Sequence, residues 1–284
     1  VKLDRMPIHD QSYRHFEGAK APPGRAWLVI AKAGIMTMIR KRLFLGLLAM
    51  SWFQFVGRAA QIYFTVNFPQ VAMFAPTAQT FRDFLAQQDL FVFIMTIYVG
   101  AGLIANDRRA NALQIYLSKP LARAEYIAGK AAVLFFFLML ITWVPGILLL
   151  LDQVLFAGSF QFLRANLFLF PAITVASLLQ VLLATFTMLA LSSLSESSRY
   201  VSILYAGVLF FTAAIYQVLN LITGSSTFSW ISPVTSLAQV VDVIFRIPPR
   251  YVTPWQVSLI VIVGLIVVSI SILERRVRGV EVVT

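Results

Sequence analysis

The sequence predicts an all-α, polytopic integral membrane protein with six transmembrane helices, both termini cytoplasmic and an amphipathic helix before the first span. Three features of the chain point there. It is 59% hydrophobic and only 12% charged over 284 residues, whereas a soluble chain runs near a quarter charged and needs that charge to cover its core. Six stretches, 43–66, 90–105, 131–151, 167–194, 201–223 and 257–273, approach or exceed the roughly 20 apolar residues that cross a hydrocarbon core. The basic residues are also lopsided. Of the 23 Lys and Arg, eighteen fall in 1–42, 106–130, 194–200 and 274–284, and four in the alternate loops 67–89, 152–166 and 224–256. That bias places the first group inside.

The formal charge of +11 is no sign of nucleic acid, because the basic residues flank apolar runs instead of lining one soluble face. With no cysteine, disulfides, zinc-thiolate sites and thiol catalysis are excluded. The first 42 residues are too polar for a signal-peptide core, so none is expected.

Segment 1–24 is a polar cytoplasmic arm ending in Ala21-Pro22-Pro23-Gly24. Its His9 and His15, the only two histidines, fit solvated titration better than a metal site. Segment 25–42, RAWLVIAKAGIMTMIRKR, sets Trp27, Leu28, Ile35, Met38 and Ile39 against Lys32 and the closing Arg40-Lys41-Arg42. It reads as an interfacial helix on the inner leaflet, with an ordinary basic flank of the first span as the alternative. The first span holds Arg58, with Gln54 and Gln61 at i−4 and i+3 on the same face. Two readings stay open: a polar strip facing a second copy or an acidic headgroup, and snorkelling to the outer edge. Apart from Arg58, no ionisable residue is expected well inside a span. Pro145-Gly146 should kink the third span. Gln180, Gln217 and Asn220 read as interhelical hydrogen bonds. Trp230, Tyr251 and Trp255 would mark the outer interface, and 274–284 is a cytoplasmic tail.

The stretch 106–130 is too long and too patterned for a simple connection. From Asp107 to Leu117 nothing is expected to break a helix, and Ala110, Leu113 and Leu117 form an apolar stripe beside Tyr116. Ser118-Lys119-Pro120 stops it. A second helix with Arg123, Glu125, Tyr126 and Lys130 runs into the third span. The product is a cytoplasmic helical hairpin with an apolar ridge and a basic rim. Such a surface fits a protein partner better than a solvated loop.

The stretch ANDRRANALQIYLSKPLARAEYIAGKAAV resembles the first cytoplasmic loop of ABC exporter permeases of the type-2 class. That family places an acidic residue before a basic pair, a Ser-[Lys/Arg]-Pro turn, an Arg-x-Glu-Tyr step and Gly-Lys entering the third span. Here those places hold Asp107, Arg108-Arg109, Ser118-Lys119-Pro120, Arg123-Ala124-Glu125-Tyr126 and Gly129-Lys130. The family's Lys-Glu pair in the first helix is not reproduced, since Ala33 follows Lys32. The resemblance implies a paired permease, a homodimer, above two copies of an ABC ATP-binding subunit, in the plasma (inner) membrane. The hairpin would dock in the ATPase, with Leu113, Tyr116 and Leu117 as buried anchors. Arg108, Arg109 and Arg123, with Asp107, Lys119 and Glu125, would orient it. Segment 231–247, ISPVTSLAQVVDVIFRI, matches the family's outer amphipathic or re-entrant stretch between the last two spans.

No cofactor site is expected in the chain itself. The only Gly-Lys, Gly129-Lys130, is followed by Ala131 and preceded by Ala124 where a P-loop needs glycine, so ATP and magnesium belong to the partner. No H-E-x-x-H or G-x-S-x-G is present, which argues against an intramembrane enzyme. A secondary carrier or a membrane scaffold is the alternative.

Overall fold

Apolar runs satisfy their own backbone groups in a bilayer only as helices or closed barrels. The computed structural model describes residues 26–68, 75–112, 122–158 and 160–277, and among them every regular element is helical. In chain order these are α1 (Ala26–Ile39), α2 (Arg42–Asn67), α3 (Ala78–Met95), α4 (Gly102–Arg109), α5 (Arg123–Ile141), α6 (Trp143–Ala157), α7 (Gln161–Ala165), α8 (Leu169–Leu194), α9 (Ser198–Thr223), α10 (Pro233–Ile244) and α11 (Trp255–Arg276). Six are long and apolar enough to cross a membrane: α2, α3 continued through α4, α5 continued through α6, α8, α9 and α11.

The helices extend beyond two of the predicted apolar spans. The helix that holds 90–105 begins at Ala78, and the one that holds 131–151 begins at Arg123, as expected of a hairpin arm that runs into the third span. A hydropathy reading stops at Arg82, Asp83 and Asp89, yet the helix runs through them: Arg82 pairs with Asp83 on its own helix and lies beside Asp242 of α10, and Asp89 takes a hydrogen bond from Gln180 of α8. At 32 and 35 residues these two rods are about 48 and 52 Å long at 1.5 Å per residue, well beyond a ~30 Å hydrocarbon core.

Helix α8 is the hub and packs against α4, α5, α6, α9 and α11. Its buried Ala172, Ala176, Ser177, Ala184, Ser192 and Ser193 let neighbours approach closely, as small residues do between membrane helices. The α5–α6 rod bends at Thr142 (φ −110°, ψ −66°), one turn before Pro145. Proline there lacks an N–H for the Ile141 carbonyl and crowds it, so the predicted kink is present. Helix α1 lies beside the first turns of α5. A Cβ on Gly129 would come within 2.8 Å of Ile30 and 3.0 Å of the Trp27 carbonyl, and one on Gly34 within 2.6 Å of Val133. The remaining surface of α1 is apolar as well, with Leu28, Val29 and Met36 exposed.

Candidate functional site

The basic end of the bundle is organised around Asp107, in the last turn of α4. Its Oδ2 accepts from the Tyr126 hydroxyl at 2.7 Å and meets Lys130 Nζ at 2.7 Å. Both partners lie on α5, and the Lys130 ammonium also sits 5.5 Å from the centre of the Tyr126 ring. The three side chains clamp the two arms of the hairpin at its root. Arg108 reaches across to α8, donating to the Ser193 carbonyl and lying 4.0 Å from Glu196. Glu125 works locally: its Oε2 accepts from the Ala122 N–H at 3.4 Å and closes the first turn of α5. Arg109 and Arg123 are exposed. Leu113, Tyr116, Leu117 and Lys119 lie outside the described residues.

One expectation about this hairpin fails. Helix α4 ends at Arg109, and Asn111 adopts a left-handed conformation (φ 51°), so the helix is not continuous from Asp107 to Leu117. Asparagine is the side chain that most readily takes that conformation after glycine and stops helices there. The Asn111 N–H donates to the Arg108 carbonyl at 3.0 Å.

The root is tied to the bundle by a second device. Between α3 and α4 the chain makes a wide π-turn, Thr96–Gly100, a feature often found at functional positions. The turn displaces the hydrogen-bond ladder, and the Ser192 hydroxyl of α8 repairs it. Its Oγ accepts from the N–H groups of Ile104 at 3.2 Å and Ala105 at 3.0 Å and donates to the Ala101 carbonyl at 2.9 Å. Gly100 is needed at the contact, since a Cβ would lie 2.5 Å from Met188 Cγ and 2.9 Å from Leu134 Cδ2.

The polar strip of α2 is partly assembled. Arg58 donates to Gln61 Oε1 at 2.8 Å and to Gln87 Oε1 of α3 at 3.2 Å. Gln54 makes no hydrogen bond to any described residue. Arg58 is therefore engaged by two amides, one of which, Gln87, the sequence reading had not singled out.

The opposite end holds a charged cluster that sequence reasoning missed. Asp242 on α10 is fully buried. It accepts two hydrogen bonds at 2.8 Å from Nε and a terminal nitrogen of Arg250, and Arg82 Nε lies 3.2 Å away. The hydrogen bonds to Asp242 hold the Arg250 guanidinium more firmly protonated than usual. Arg82 also pairs with Asp83 at 2.7 Å. Beside this cluster, Gln180 of α8 donates to Asp89 of α3 at 2.6 Å. Gln180 thus makes the interhelical bond expected of it. Asp89 is a second ionisable side chain, besides Arg58, on a helix long and apolar enough to cross a membrane. It belongs to the Ala78–Arg109 rod, twenty residues and about 30 Å along the helix from Arg109.

The 226–254 return is fixed by side-chain bonds to backbone. Gln239 spans Tyr251 and Thr253, donating to their carbonyls at 3.1 and 2.7 Å and accepting from the Tyr251 N–H at 3.2 Å. Thr253 donates to the Thr227 carbonyl at 2.8 Å. Helix α10 starts with Pro233 in its first turn, where the missing N–H costs nothing, and Arg246 closes it over the Phe168 ring at 4.5 Å. Among the described residues no group of three His, Cys, Asp or Glu is placed to hold a metal. Compared with known proteins, the chain matches no family model and no curated sequence.

Proposed function

We propose that the chain is the membrane permease subunit of an ATP-driven exporter of the ABC type-2 class, coupled to a separate ATPase. The observation that carries the reading is the clamped root Asp107–Tyr126–Lys130, which ties the end of one membrane rod to the start of the next. The exposed Arg109 and Arg123 belong to the face offered to the ATPase. Closure of two ATPase subunits would push two such hairpins together, and the α3–α4 and α5–α6 rods would carry the displacement across the bilayer. The positive-inside bias puts this end and both termini in the cytoplasm of a cell with a plasma (inner) membrane. A second copy fits against α2 and α9, the least buried of the six spans, whose outward faces carry Phe53, Phe210 and Leu221.

Affinity purification of the full chain from its host tests the reading. A Walker-type ATPase should co-purify, and Leu113→Asp with Leu117→Asp should abolish that while the chain still inserts. Retained binding in that variant, or no ATPase with the unaltered chain, would overturn it. The second reading, a secondary carrier, draws support from Asp89, because carriers place ionisable groups inside the membrane. Transport in vesicles that stops with an uncoupler yet persists without ATP would favour the carrier.

A further inference from the structure

A cleft of about 350 Å³ lies between α3, α8, α9, α10 and α11. Its wall is hydrocarbon, including Phe93, Leu183, Val208, Leu237 and Leu265, and its polar groups are led by Asp89 and Gln180 at one end. A second, smaller cavity of about 140 Å³ shares Asp89 and Gln180 and touches Arg82 and Arg250. Asp89 is thus the wall between two spaces, which is why its side chain stays accessible inside the bundle.

The charge count leaves this carboxylate in need of a cation. Three acids, Asp83, Asp89 and Asp242, face two bases, Arg82 and Arg250. Arg250 gives both its short bonds to Asp242, and Arg82 divides between Asp83 and Asp242. No cation of the described residues pairs with Asp89. Among the described residues Gln180 supplies its one hydrogen bond, on Oδ1, and the Asp89 side chain lines both cavities. A carboxylate in an apolar span is costly to retain. If its task were only to receive the Gln180 N–H, an asparagine would serve without that cost.

We propose that this cleft binds an amphipathic organic cation, its ammonium on Asp89 and its hydrocarbon among Phe93, Leu183, Val208 and Leu265. The inference stands whether or not an ATPase drives the chain. Ligand sites commonly occupy ~300–1,000 Å³, so this one suits a single short chain or a compact ring system and is too small for a two-tailed lipid. The ammonium pairs with the Asp89 carboxylate, and the tail covers the apolar wall.

The test uses the full chain in phosphatidylcholine nanodiscs and two photoreactive probes, an alkylamine and an alcohol of the same chain. Peptide mapping should show the amine labelling the 183–191 and 205–213 segments at least tenfold more than the alcohol. Asp89→Asn should reduce the amine to the level of the alcohol, and Val208→Trp, which fills the cleft, should abolish labelling by both. The unaltered chain's amine-to-alcohol ratio decides the matter even if a variant fails to fold. Equal labelling by the two probes, or a preference that survives Asp89→Asn in a folded protein, would overturn the proposal.

Discussion

Asp107→Ala isolates what the clamp at the hairpin root contributes. The mutation removes the carboxylate that meets Lys130 Nζ at 2.7 Å and takes the Tyr126 hydroxyl at 2.7 Å on the same oxygen. The side chains of Lys130 and Asp107 are 14% and 19% exposed, so the pair lies between two regimes. Exposed pairs contribute up to about 1 kcal/mol, whereas breaking a buried pair costs about 3–5 kcal/mol. A loss of about 2 kcal/mol follows, which is about thirtyfold in an opening equilibrium. Asp107→Asn keeps an acceptor oxygen and loses only the charge, so it should cost about half as much. Amide hydrogen exchange of the chain in nanodiscs reads this locally. Segments 104–109 and 126–130 should exchange faster in the order native, Asn, Ala, with α9 unchanged as an internal control. Exchange in the Ala variant within twofold of native at the root would refute the clamp.

Gly100→Val places branched carbons where a Cβ alone would lie 2.5 Å from Met188. It should destabilise the fold by about 1–3 kcal/mol, and Met188→Ala should recover part of that in thermal unfolding. Ser192→Ala deletes one hydroxyl that serves two amides and one carbonyl, for a loss of about 1–3 kcal/mol with exchange rising at Ile104 and Ala105. Asp242→Ala strands two guanidiniums around a fully buried position. It should cost about 3–5 kcal/mol, measured by denaturation in detergent, and more than Arg82→Ala. The chain has no cysteine, so single cysteines at the exposed Arg109 and Pro249 report sidedness cleanly. A membrane-impermeant thiol reagent should reach them from opposite faces, and labelling from one face would break the six-span topology.

The spans were legible because hydropathy is local: a helix that buries in lipid or protein must be apolar in its own sequence. The segments that hydropathy missed are those where a distant residue changes the sum. Arg82 and Asp83 look like the edge of a loop until Asp242, some 160 positions later, is seen to take Arg82. Asp89 looks like a boundary until Gln180 and the cleft are in place. Asn111 was different, because its signal was present in the sequence. An asparagine with small neighbours in a polar hairpin is a candidate for left-handed backbone, and the apolar stripe of Ala110, Leu113 and Leu117 outweighed it in the reading. The clamp was half legible. Asp107 and Lys130 stood in the motif, but only folding brings the two arms together so that one oxygen serves both Tyr126 and Lys130.

Both polar centres of the molecule converge on the same helix. At one end of α8, Ser192 holds the π-turn that joins α3 to α4, and the Ser193 carbonyl takes Arg108. Twelve residues earlier on that helix, about 18 Å away, Gln180 holds Asp89, which is itself on α3. The α3–α4 rod is therefore pinned to α8 at two heights, once through backbone near the root and once through a carboxylate near the cleft. A rod pinned at one height can pivot. Pinned at two, it is held in register with α8, and the π-turn, with its wider winding and borrowed hydroxyl, lies between the two pins. The residues that hold the rod at its basic end and the acid that lines the cleft thus lie on one continuous helical rod, Ala78–Arg109, held against one partner helix.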